Sequence, residues 1–80
     1  MAIAGFAAAN RIRFVSHATD QMTRRRITYR DVRNVLLSAS SCGPSDDEAD
    51  RWVVRGADLD GEDTKVVCVI EDGVVVITVF

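Results

Sequence analysis

"TKVVCVIEDGVVVITVF", residues 64–80, decides how the rest of the chain is read. Two Val-rich runs flank a short polar break, and β-branched residues suit a pleated, packed surface. Asp72-Gly73 is a strong hairpin signal, because both residue types tolerate the positive φ that tight turns require. The stretch predicts an antiparallel hairpin of residues 65–71 and 74–80. Cys68 stands between Val67 and Val69 in a buried-type strand and is expected in the core.

Working back, "RWVVR", residues 51–55, reads as a third strand. Alternation puts Arg51, Val53 and Arg55 on one side of it and Trp52 and Val54 on the other. "DLDGED" between these strands lacks the full twelve-residue pattern and closing Glu of a calcium loop, so it reads as a turn. "SSCGPSDDEAD", residues 40–50, reads as a solvated acidic loop that Gly43 and Pro44 open by breaking a helix. That helix starts at an approximate capping box, Thr28 with Asp31, and carries Val32, Val35, Leu36 and Ala39 at helical spacing. An earlier helix is expected to start at Ser16 as N-cap, with Ala18 and Met22 on one face and arginines at its negative end. "RIRFV" before it is a candidate short strand, and residues 1–10 are either a short helix or a loose arm. The expected fold is α+β: two helices packed on a twisted antiparallel sheet of three or four strands, with residues 11–80 as one domain.

Composition narrows the function classes. Eighty residues make one small domain with a modest core, and 48% apolar with 28% charged residues is ordinary for a globular chain. The net charge of −2 conceals an asymmetry: residues 1–40 carry seven arginines against Asp20 and Asp31, while residues 41–80 carry three cations against ten acids. Nucleic-acid binding must therefore be argued from a local basic face rather than from total charge. One histidine and two cysteines with no CxxC argue against a zinc site, and no metal or cofactor is expected. The opening "MAIAGFAAAN" has no basic start and is too short to span a bilayer, so the expected location is the cytoplasm, away from membranes.

"SHATDQMTRRRITYRDVRNVL", then a strand around "WVVRG", then the final "VVVITVF", resembles a small bacterial domain-of-unknown-function family related to RelE-like and MqsR-like toxins. Ser16, His17, Ala18, Met22, Arg25, Arg26, Ile27, Thr28, Asp31, Val32 and Thr78 carry the resemblance, over residues 12–80. It implies a RelE-like (barnase–EndoU–colicin–RelE) fold and a toxin of a bacterial toxin–antitoxin system. It also implies a metal-independent endoribonuclease acting on messenger RNA, with RNA and a cognate antitoxin, often a zinc-finger protein of the MqsA type, as partners. One departure favours a rival reading, an inactive protein-interaction module that keeps the fold. Several RelE-like toxins use polar or aromatic residues near the C-terminus, where this sequence ends in apolar Phe80.

Such ribonucleases need a base for the 2′-hydroxyl, an acid for the leaving oxygen and cations for the charge building on phosphorus. His17 and Arg24 are seven residues apart, two helical turns, and are expected near the rim of the buried face. His17 is thus either the acid–base group or an inert residue hydrogen-bonded to the sheet. Arg24 or Arg25 with Arg55 would bind the reacting phosphate, since a guanidinium fork matches two oxygens. Arg26, Arg30, Arg33 and Arg51 would extend the RNA-binding surface, or lie on solvated faces. Tyr29 is read as a packing residue.

Overall fold

The computed structural model describes residues 2–46 and 50–80. Helix α1 spans Ala2–Ala8, strand β1 Ile12–Phe14, helix α2 Ser16–Arg25 and helix α3 Tyr29–Leu37. Strands β2 (Ser41–Pro44), β3 (Trp52–Ala57), β4 (Asp63–Ile70) and β5 (Val74–Val79) follow. They form one sheet in the order β1-β5-β4-β3-β2, antiparallel except where β1 runs parallel to β5. The fold is α+β, with five strands among the described residues where the sequence predicts three or four, and with the short-helix alternative for residues 1–10 realised as α1.

The C-terminal hairpin turns at Asp72 and Gly73, both at positive φ (53° and 120°). A side chain at Gly73 would also meet the Arg11 carbonyl at 2.8 Å, so both backbone angle and space require glycine there. The ladder runs from Ile70 opposite Val74 to Val66 opposite Val79 and shifts between Val67 and Cys68. Cys68 faces Val76 and Val67 faces Thr78, which leaves Ile77 as the extra residue of a bulge. The extra residue keeps Val74, Val76 and Val79 all on the buried face.

That face packs beneath the helices. Val54, Val66, Cys68, Val74, Val76 and Val79 are fully buried with Val32, Val35 and Leu36 of α3. Ala18 and Met22 of α2 and Ile3 and Ala7 of α1 complete the same core. α3 approaches β3 so closely that a Cβ at Gly56 would come within 2.9 Å of the Val35 carbonyl oxygen. Helix α1 is therefore part of the core, not a loose arm. Its last carbonyls, Ala7 and Ala8, accept hydrogen bonds from the Arg33 guanidinium at 3.0 and 3.5 Å.

The helix ends differ in how well they match expectation. α3 has the full capping box: Asp31 N–H donates to Thr28 Oγ1, and Thr28 N–H donates to Asp31 Oδ2. α2 does not start on a Ser16 cap. Val15 occupies the cap position, its N–H donates to Val76 to continue the β1–β5 pairing, and Ser16 is already helical. α2 ends at Arg26 in the left-handed region, φ 56°, with its N–H donating to Met22 and Thr23. Strand β2 lies within the stretch read as a loop. It is an edge strand with no buried residue, held by pairing with β3, and Pro44 is tolerated there because an edge leaves one row of N–H groups unpaired.

Candidate nucleic-acid interface

Strand alternation sorts the charges. In β3, Val54 and Gly56 face the helices, so Arg55 and Val53, with Arg51 just before the strand, face the uncovered side. In β4, Val66 and Cys68 point inward, so Lys65, Val67 and Val69 point outward. Ladder register sets Arg55 opposite Lys65 and Val53 opposite Val67, and Val67 in turn faces Thr78. Phe80 and Lys65 exchange backbone hydrogen bonds at 2.8 and 3.2 Å, and the Lys65 ammonium lies 4.9 Å from the Phe80 ring centroid.

Together these residues floor a shallow cleft on the uncovered face. One part, about 380 Å³, is lined by Arg51, Lys65, Thr78 and Phe80 with Asp46. The adjoining part, about 420 Å³, shares Asp46 and Lys65 and adds Arg55 and Ser41. Three cations thus converge on one open surface. None of them forms an ion pair among the described residues, where the single such pair is Arg11 with Asp72. Two like charges directly opposite across a ladder destabilise a sheet, so Arg55 beside Lys65 is an arrangement that an anion in the cleft would relieve.

The helical candidates lie elsewhere. α2 packs on the inner face through Ala18 and Met22, so His17, Arg24 and Arg25 are separated from Arg55 by the sheet itself. The expected grouping of His17 with Arg24 or Arg25 and Arg55 in one site is therefore corrected. His17 is exposed rather than at a rim, and its side chain makes no hydrogen bond among the described residues. Arg24 lines a separate shallow depression with Asp20 and Thr23. Arg26 and Arg30 are exposed, and the Arg33 fork is partly engaged with the end of α1.

Sequence reading missed Lys65 and Asp46 as members of the cleft. Lys65 was open to discovery: alternation from buried Cys68 puts it outward, and its alignment with Arg55 follows once the β3–β4 register is known. Gln21 was not. Its Oε1 accepts the Val79 N–H at 3.0 Å, sealing an edge of β5 beyond the short strand β1, and no local signal announces that contact. Cys68 is buried, and burial pushes its pKa up to about 12, so it is an inert core residue.

The DUF4258 family, described as a domain of unknown function, matches residues 14–80. The chain belongs to the DUF4258 family. Every cleft residue lies within the matched stretch, whereas α1 lies outside it. No curated protein and no solved structure matches the chain. Among the described residues of this DUF4258 protein, no group of three His, Cys, Asp or Glu side chains is placed to hold a metal ion. No helix is long and apolar enough to cross a membrane.

Proposed function

We propose that this DUF4258 protein is a toxin-family protein of a bacterial toxin–antitoxin system that binds single-stranded RNA on the uncovered sheet face and cleaves it without a metal. The observation that carries this reading is the convergence of Arg51, Arg55 and Lys65 on one cleft with the single carboxylate of Asp46 in its described lining, and with no ion pair to any of the three among the described residues. Guanidinium forks bind phosphate oxygens two at a time and offset the charge that builds on phosphorus. Asp46 is the carboxylate lining both parts of the cleft, and it serves as base for the 2′-hydroxyl. The 2′-oxygen bonds to phosphorus, the bond to the 5′-oxygen breaks, and the Lys65 ammonium protonates that leaving oxygen. The products are a 2′,3′-cyclic phosphate and a free 5′-hydroxyl. In this reading the protein works in the cytoplasm and is held in check by an acidic antitoxin.

The test is cleavage of an end-labelled single-stranded RNA in EDTA. The wild type should yield a cyclic-phosphate product, and a 2′-deoxy residue at the cut site should block it. Asp46→Asn should keep binding and lose cleavage, whereas His17→Ala should leave both intact. Loss of cleavage in His17→Ala with the fold retained would restore the histidine to the site and dismiss the cleft chemistry. A second reading, a protein-docking module without catalysis, draws on half-exposed Val53, Val67, Val69 and Val75 on the same face. Binding of a protein partner there with no RNA cleavage under any condition would select it.

A further inference from the structure

A second cavity, about 520 Å³, opens on the opposite side of the sheet, on the outer face of α3. Asn10, Tyr29, Arg30, Arg33, Asn34 and Leu59 line it. Its size falls within the range of small-molecule sites. Arg30 and Arg33 are three residues apart, so they are neighbours on one helix surface. Neither forms an ion pair among the described residues.

Apart from exposed Arg30, the walls are fastened. Asp31 Oδ1 accepts the Leu59 N–H at 3.0 Å, which ties the β3–β4 loop to α3. Asn34 Nδ2 donates to Ala57 and Asp58 carbonyls at 2.9 and 3.5 Å, leaving its Oδ1 as a free acceptor. The Tyr29 ring is set edge-on against Phe14, with centroids 5.8 Å apart. Asn10 sits in the left-handed region, φ 59°, with its N–H donating to Ala7 at the end of α1. Arg33 uses two N–H groups on α1, and a guanidinium has five, so three remain for an occupant. A pocket whose walls are held before a ligand arrives loses little ordering entropy on binding.

The chemistry of those walls is specific. Two guanidinium groups without an acid ask for an anion that accepts several hydrogen bonds. An aromatic ring and an exposed Leu59 ask for a flat, partly apolar body, and two carboxamides ask for a partner carrying both donors and acceptors. We propose that this cavity binds a nucleoside phosphate, with phosphate on Arg30 and Arg33 and the base between Tyr29 and Leu59. The nucleoside phosphate is either a free mononucleotide or one residue of an RNA strand. The site is independent of the cleft on the other face.

Titration of ¹⁵N-labelled protein with the four ribonucleoside 5′-monophosphates tests it, with inorganic phosphate and the unphosphorylated nucleosides as controls and a six-residue single-stranded RNA as a further arm. Saturable shifts should centre on Asn10, residues 29–34 and Leu59, and at least one mononucleotide should bind more tightly than phosphate or its nucleoside alone. Arg30→Gln, an exposed helix-surface change, should weaken binding about tenfold, as loss of one charge-assisted contact does. Saturation by mononucleotides identifies a free ligand; saturation by the oligonucleotide alone identifies an RNA residue. Shifts confined to Arg51, Arg55 and Lys65, shifts by phosphate alone, or affinity unchanged in Arg30→Gln would each overturn the proposal. A protein altered at Arg55 and Lys65 should bind the mononucleotide as the wild type does, so failure of the cleft reading leaves this one standing.

Discussion

Asp31→Ala removes one side chain and cuts three hydrogen bonds at a junction of two elements. Asp31 Oδ2 accepts from Thr28 N–H and Thr28 Oγ1 at 2.9 and 3.0 Å, and Oδ1 accepts from Leu59 N–H at 3.0 Å. Loss of the reciprocal half of the capping box, the Thr28 N–H bond to the Asp31 carboxylate, costs about 1 kcal/mol. A partly buried N–H left without its charged acceptor costs about 1–3 kcal/mol more. The expected loss is therefore about 2–4 kcal/mol, against a total of roughly 4–12 kcal/mol for a domain of this length. Urea denaturation followed by circular dichroism reads it directly: at about 1 kcal/mol per molar urea, the midpoint should fall by roughly 2 M or more. The loss should depend on pH. Backbone donors at Thr28, then Leu59, hold the Asp31 carboxyl below its ordinary value. Its contribution is therefore fully present above about pH 5 and fades as pH falls through the depressed folded-state value. The difference between wild type and Asp31→Ala should shrink correspondingly in acid. A midpoint shift below about 0.5 M at neutral pH, or a difference that grows on acidification, would refute the reasoning.

Arg26→Gly should raise stability by about 1 kcal/mol in the same assay, since it removes an L side chain from the left-handed region at the end of α2. Gly56→Ala should lower stability by about 1–3 kcal/mol, because its Cβ would crowd the Val35 carbonyl and push α3 off the sheet. Iodoacetamide at pH 8 should leave Cys68 unmodified in the folded protein and alkylate it in urea, as mass spectrometry of the peptides will show.

The elements legible in the sequence are those whose signals are local. Val alternation around Asp72-Gly73 located the hairpin, and the Thr28–Asp31 box with Val32, Val35 and Leu36 located α3, because each rests on contacts within a few residues. Strand β2 was illegible for the opposite reason. Gly43 and Pro44 carry a breaker signal, and only pairing with β3, ten or so residues away, makes the segment a strand. Ser16 looked like a cap, yet the pairing of β1 with β5 fixes Val15 in that position instead. The site suffered most from this limit. Alternation correctly set Arg51 and Arg55 on one side of a strand. The toxin resemblance and the needs of RNA cleavage, however, grouped His17 and Arg24 with Arg55, which the sheet divides. Lys65 and Asp46 entered the cleft only through strand register and loop placement.

In the proposed function, the RNA-cleaving surface is the uncovered sheet face and not the arginine run at the end of α2. Fluorescence anisotropy of labelled single-stranded RNA, measured across a range of salt concentrations, tests it most directly. Each phosphate contact on a single strand contributes about 0.7 to the slope of log affinity against log salt. Changing Arg51, Arg55 and Lys65 together to Gln should therefore flatten the slope by about 2, while changing Arg24, Arg25 and Arg26 together should leave it as in the wild type. A slope unmoved by the first triple change and flattened by the second would contradict the account.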